Sequence, residues 1–187
     1  MADNRAHNRE SREDRLARFE NGSPVEAIET LLNSIDNFFN NEVRLAPTLF
    51  QTSLIFLGIH AAALTIGEAF FDERYEVDNY RRFLKEFVDG STEDTKFSLI
   101  ATKIHDWRNI LAHQWLGSLG HEIGYDYSML FGYEERNGVI FINPKVYCEL
   151  YLKAFSSSGR IWRYDSIFSS EQLEQIKQRI IEKYKRR

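Results

Sequence analysis

Arg108, Asn109 and His113 fall within the six residues R-N-I-L-A-H. Almost every other stretch of the 187-residue chain reads as core, cap or solvated surface. A guanidinium grips phosphate oxygens in a two-pronged way, and an imidazole carries a proton near neutral pH. Together with an amide they form a kit suited to work on a phosphodiester. The same six residues also have a plain reading, in which a structural helix holds an interior arginine and a surface asparagine and histidine.

Successive helical residues turn by about 100°, which places each side chain around the axis. His105, Asn109 and His113 step by four and form a stripe, with Thr102 and Asp106 beside it. That stripe is expected to face away from the apolar line of Phe97, Ile100, Ile104, Trp107, Leu111 and Trp115. Arg108 falls at the edge of the apolar arc, near Ala101 and Ala112. An arginine there packs its stem and snorkels its head to water, or pairs with an acid. Glu68 is the expected partner. Arg108 and His113 lie roughly 140° apart around the axis and about 7.5 Å along it. One helix alone does not easily aim both at the same atom. A two-fold pair of such helices does, so a catalytic role implies a homodimer.

The elements that must position this stretch are mostly helical. Residues 1–22 are polar, with Leu16 and Phe19 as the large apolar groups, and read as a mobile or weakly helical arm stopped by Asn21-Gly22. Ser23-Pro24 is an N-cap and first helical residue. Val25, Ile28, Leu31, Leu32, Ile35, Phe38 and Phe39 then repeat at helical spacing. A second helix, from about Pro47 to Phe71, is apolar nearly all round and belongs at the centre of a bundle. A shorter helix runs near Asn79–Asp89. The motif helix starts at Ser91-Thr92-Glu93-Asp94 and is expected to end at Gly117 and Gly120. After it, Tyr125, Tyr127, Met129 and Phe131 alternate, and Val139 to Ile142 follows Asn137-Gly138, which predicts a β-hairpin. Asn143-Pro144 opens a helix through Phe155. A last helix follows, capped by Ser169 and Gln172 and apolar along Leu173, Ile176, Ile180 and Tyr184. The expected domain is 23–187, with a bundle core over 23–120 and a hairpin-plus-two-helix extension over 124–187.

Composition narrows the function classes. Hydrophobic residues at 43% and aromatics at 14% argue for a folded chain. A net charge of −4 gives no global basic footprint, so any nucleic-acid site must be a local patch. The single cysteine, Cys148, cannot form an internal disulfide, and a reducing, cytoplasmic setting is expected. Leu54–Phe71 is apolar enough to raise a membrane question. It carries His60, Glu68, Gly58 and Gly67, however, and reads as a core helix with no membrane role, a membrane-associated regulator being a third and weaker reading.

The R-N-x-x-x-H of Arg108 to His113, placed late in a helical bundle, resembles the signature of HEPN domains over roughly residues 24–120. In that family the arginine is followed by a polar residue, and the histidine comes four to six residues later. The resemblance implies an all-α, HEPN-like antiparallel bundle acting as a homodimeric, metal-independent endoribonuclease. Such proteins serve toxin–antitoxin, phage-defence or RNA-processing systems, and no cofactor is implied. Carried over, His113 would be general acid or base on the ribose 2′-hydroxyl or the leaving oxygen. Arg108 would stabilise charge on the phosphate, and Asn109 would orient His113 or the phosphate. Glu68, His105 and Trp115 would support them. The products would be a 2′,3′-cyclic phosphate and a free 5′-hydroxyl. Some toxins of this family pair with a nucleotidyltransferase antitoxin that modifies a tyrosine two residues after the histidine. Trp115 stands at that position here, so the antitoxin partner implied by the resemblance would have to act otherwise. A non-catalytic helical module binding RNA or a protein through the same cleft is the alternative.

The remaining signals are weaker. His105 and His113 are about 12 Å of rise apart, too far to share one ion, and no HExxH or CxxC exists, so no metal site is expected. His60 reads as a satisfied core histidine, and His121 as a loop residue. Gly117 to Gly120 matches the spacing of a KH loop but lacks flanking basic residues. Ser156 to Ser158 have no visible His–Asp partners. Arg160, Trp162, Arg163 and Tyr164 combine cations and rings in a predicted loop. Arg160, Trp162 and Arg163 are therefore candidates for stacking on bases and holding phosphates, against the plainer reading of a loop anchored by its tryptophan.

Overall fold

The computed structural model describes residues 11–114, 123–156 and 158–186, with the backbone alone at Arg12, His113 and Gln114. Trp115, the glycine stop at Gly117 and Gly120, and His121 lie outside the described residues. The described residues are mostly helical and carry one small sheet.

Among the described residues, side-chain caps start four of the eight α-helices. Ser11 caps α1 (Arg12–Asn21) by accepting the Asp14 N–H at 3.0 Å, and Gly22 closes it. Of the two readings of the arm, mobile or weakly helical, the described part is helical, and α1 is packed in place. Phe19 is buried, its ring meets Tyr184 edge-on at 5.1 Å, and Arg15 donates to the Tyr184 hydroxyl at 2.9 Å. Ser23 caps α2 (Pro24–Ile35), which continues through a π-helical turn, Asp36–Asn40, into the short α3 (Asn41–Val43). The next residues turn rather than extend a helix, and Phe50 adopts a left-handed φ of 53°. A left-handed residue cannot continue a right-handed helix. Hence α4 spans Thr52–Phe70 and starts later than the apolar run suggests.

By length and composition α4 could cross a membrane, but Ile55, Phe56, Ile59, Ala63 and Ile66 are fully covered by the rest of the chain. It packs against α5 (Glu76–Phe83), α6 (Ala101–Gln114), α7 (Pro144–Ala154) and α8 (Ser170–Lys185). Gly67 makes the α4–α5 approach possible, since a Cβ there would stand 2.6 Å from the Asn79 carbonyl oxygen. At the far end of α4, Arg179 of α8 donates to the carbonyls of Ala69 at 2.8 Å and Phe70 at 3.1 Å. Those are carbonyls that a helix end leaves without intrahelical partners.

The lead into α6 is two 3₁₀ turns, Glu93–Thr95 and Phe97–Ile100, where one continuous helix was expected. Thr92 and Thr95 form the capping box. Asn137 and Gly138 take φ of 53° and 78°, as a two-residue turn with both central residues left-handed requires. They join β2 (Tyr133–Arg136) to β3 (Val139–Ile142). The sheet has a third strand, β1 (Ile123–Tyr125), parallel to β3, so it is more than the hairpin expected. Tyr127 to Phe131, whose alternation suggested a strand, instead form a turn, in which Asp126 accepts the Ser128 N–H at 2.9 Å. Asn143 caps α7 and also donates to the Met129 carbonyl at 2.7 Å, tying that turn to the helix. Cys148 is buried on α7, and burial pushes its thiol up to about 12.

Candidate functional site

The first half of α6 is an anchor. Ala101, Ile104 and Trp107 are buried, and the Trp107 ring meets Phe56 of α4 edge-on at 4.5 Å. This fixes the helix axis and thereby the direction of every later residue on it.

His105, on the stripe expected to face away from this line, is half-buried and packs back against α4. Its Nδ1 lies 2.9 Å from Nε2 of the fully buried His60 on α4. The Tyr80 ring of α5 lies tilted on His60 at 4.4 Å, and the Tyr80 hydroxyl meets the Tyr147 hydroxyl of α7 at 2.8 Å. A polar seam thus crosses the core from α6 to α7. His60 is only half satisfied, because its Nδ1 has no hydrogen-bond partner among the described residues. Burial pushes its pKa down to about 3, helped by the positive charge of Arg108 and by His105. A neutral His60 must either donate to His105 or accept from it, and the other ring nitrogen is then left in an apolar setting.

Arg108 is half-buried next to this seam, and its Nη1 donates to the Asn109 Oδ1 at 2.7 Å. That bond turns the Asn109 oxygen towards the guanidinium and leaves the amide nitrogen as a further donor. The expected Arg108–Glu68 salt bridge is not formed. Glu68 pairs with Lys183 of α8 instead. The reason is distance along α4: Glu68 lies eight residues past His60, about 12 Å of rise from the point where α6 crosses. No carboxylate pairs with Arg108 among the described residues. His113 follows five residues on along the same helix, its side chain outside the described residues.

Of the expected site residues, the structure therefore brings Arg108, Asn109 and His105 together, adds His60, and sends Glu68 elsewhere. Arg160, Trp162 and Arg163 sit on a 3₁₀ turn, Arg160–Ser166, rather than on an open loop. Trp162 is half-buried and donates from Nε1 to the Phe155 carbonyl at 3.0 Å, a contact that fits the reading of a segment anchored by its tryptophan. Arg160 donates to the Asp89 carbonyl, and Arg163 is exposed. His60, read from the sequence as a satisfied core histidine, is buried but only half satisfied among the described residues, and its pairing with His105 is what sequence reasoning missed. Its signal was available, as a histidine on a helix otherwise apolar all round needs a polar partner. Among the described residues, no three His, Cys, Asp or Glu side chains are grouped so as to hold a metal ion. Comparison with protein-family models, curated proteins and solved structures finds no match to this chain.

Proposed function

We propose that this chain is a HEPN-type, metal-independent endoribonuclease that works as a cytoplasmic homodimer with Arg108, Asn109 and His113 at its catalytic centre. One observation carries the reading. A half-buried guanidinium midway along α6, just past its anchored first half, is held by an amide, has no neutralising carboxylate among the described residues, and precedes a histidine by five residues. Such a group is a ready receptor for a phosphate oxygen. His113 would move the proton between the ribose 2′-hydroxyl and the leaving oxygen, and the 2′-hydroxyl would restrict the reaction to RNA.

The dimer draws support from the surface beside the motif. Ile110 and Leu111 are only half-buried, and Phe50 and Tyr125 are 70% and 53% exposed. Tyr127 joins the last two, with ring centroids 5.0 Å from Phe50 and 6.2 Å from Tyr125, and Tyr125 lies 6.4 Å from Trp107. An aromatic ledge next to a catalytic helix suits burial against a second copy.

The test is RNA cleavage in the presence of EDTA. Wild-type protein is expected to yield 2′,3′-cyclic phosphate and 5′-hydroxyl ends. His113→Ala is expected to lose cleavage while keeping the wild-type melting temperature. Intact RNA with the wild-type protein, across varied substrates, would leave the chain as a non-catalytic binding module.

A further inference from the structure

A groove opens where the π-helical turn Leu84–Val88, which extends α5, ends at Asp89-Gly90. It has two lobes that share Asp89, Gly90 and Arg160. The wider lobe, about 520 Å³, is bordered by Arg81, Lys85 and Lys96. The other, about 360 Å³, is bordered by Lys153 and Ser158. The charged lining is thus five basic side chains against Asp89, in a chain whose overall charge is −4.

The one acid offsets only part of this charge, acting on Arg160 and Lys96. Asp89 is turned inward, where its carboxylate accepts the Ser98 N–H at 3.0 Å and the Ser98 hydroxyl. Lys96 and Arg81 have their own carboxylates, Glu93 and Asp78. Lys85, Lys153 and Arg160 have no carboxylate at salt-bridge distance among the described residues, and all three are exposed. Like charges left together without counter-charges hold a strong local positive potential.

The groove is also joined to the motif helix. Arg81 donates through Nη2 to the Thr102 hydroxyl at 2.9 Å. Thr102 and Asn109 are seven residues apart, so they share one face of α6, two turns and about 10 Å apart. Asp106 is the exposed acid between them.

We propose that this groove binds the sugar-phosphate backbone of single-stranded RNA and leads the strand along α6 towards Arg108 and Asn109. The choice of ligand rests on the ribonuclease reading above. Lys85, Lys153 and Arg160 contact phosphates, and Arg81 with Thr102 forms the rim nearest the motif. No exposed aromatic side chain lines the groove among the described residues, so bases are not stacked there and binding tolerates sequence.

The experiment uses the full chain and a fluorescein-labelled 15-nucleotide single-stranded RNA with 2′-fluoro sugars, which lacks the internal nucleophile and cannot be cut by that route. Anisotropy titrations over a range of salt compare wild type, Lys85→Ala/Lys153→Ala, and the triple variant that adds Arg160→Ala. Lys145→Glu, on α7 outside the groove, is the charge control. Since Arg160 also holds the Asp89 carbonyl, the double variant tests the groove without touching that contact. The triple variant is expected to bind at least tenfold more weakly. Its plot of log affinity against log salt should be shallower by about 2, from about 0.7 per lost phosphate contact on a single strand. Wild-type affinity and slope in both groove variants, or an equal loss in Lys145→Glu, overturns the proposal. Arg108-dependent cutting of natural RNA with unaltered groove variants defeats the groove and spares the ribonuclease. Groove-dependent binding with no cutting defeats the ribonuclease and spares the groove.

Discussion

The two halves of α6 are held in different ways. From Ala101 to Trp107 the helix is held on every side that matters, by Phe56 and His60 of α4 and by Arg81 of α5. From Arg108 onward no described side chain is fully buried, and apolar Ile110 and Leu111 are left half-covered. A helix is stiff over this length, so fixing one half aims the other without burying it. The lesson is a division of labour along one element, with stability at the front and presentation at the back.

Acid is expected to separate the halves most strongly. His60 is held neutral in the folded chain, with a pKa of about 3 against the ordinary 6.5. As pH falls through that window the unfolded chain binds the proton first, so its population is favoured and the fold loses up to about 5 kcal/mol. Stability from this group is complete above pH 6.5 and declines towards pH 3. Urea melts near neutrality and in acid should therefore diverge less for His60→Leu than for wild type. Equal divergence would mean that burial does not hold this imidazole neutral.

Trp107→Ala probes the anchored half directly. Removing a ring that is 6% exposed should cost about 3–5 kcal/mol in the same melts. A loss below about 1 kcal/mol would show that the front of α6 is not what holds it.

Arg108→Ala, one residue later, is expected to behave in the opposite manner. RNA cleavage should fall about 100- to 1,000-fold, the usual cost of deleting one donor to a developing oxyanion. The melting temperature should stay within a degree or two. A large drop in melting temperature would move Arg108 into the anchor and out of the site.

Glu68→Gln is expected to do least. Its pair with Lys183 is about a third exposed on both sides (32% each), and such pairs contribute about 0–1 kcal/mol. Cleavage should be unchanged. Loss of cleavage would revive a link between Glu68 and Arg108.

Features written in neighbouring residues were legible in the sequence. Ser23-Pro24, Asn143-Pro144 and the Ser169–Gln172 box start helices as expected, because a cap needs only a side-chain oxygen and an N–H two or three residues on. Asn137-Gly138 likewise declared its turn. Contacts between distant segments were not legible. The alternation of Tyr125 to Phe131 matched a strand, yet Met129 is buried from within a turn whose shape depends on Asn143, fourteen residues away. The wheel gave His105 its position on α6 correctly but could not say that α4 would bring His60 against it.

The residues by themselves determined where helices begin, that α4 must be interior, and that Arg108, Asn109 and His113 share one helix. Periodicity and capping act over a few residues, and their physics is complete within the strand of text that encodes them. Only the tertiary structure decided that Arg108 leans on Asn109 rather than Glu68, that His60 and His105 face each other, and that five bases converge on Asp89-Gly90. Each of those depends on the crossing of packed helices, which sets the distance between side chains far apart in the chain.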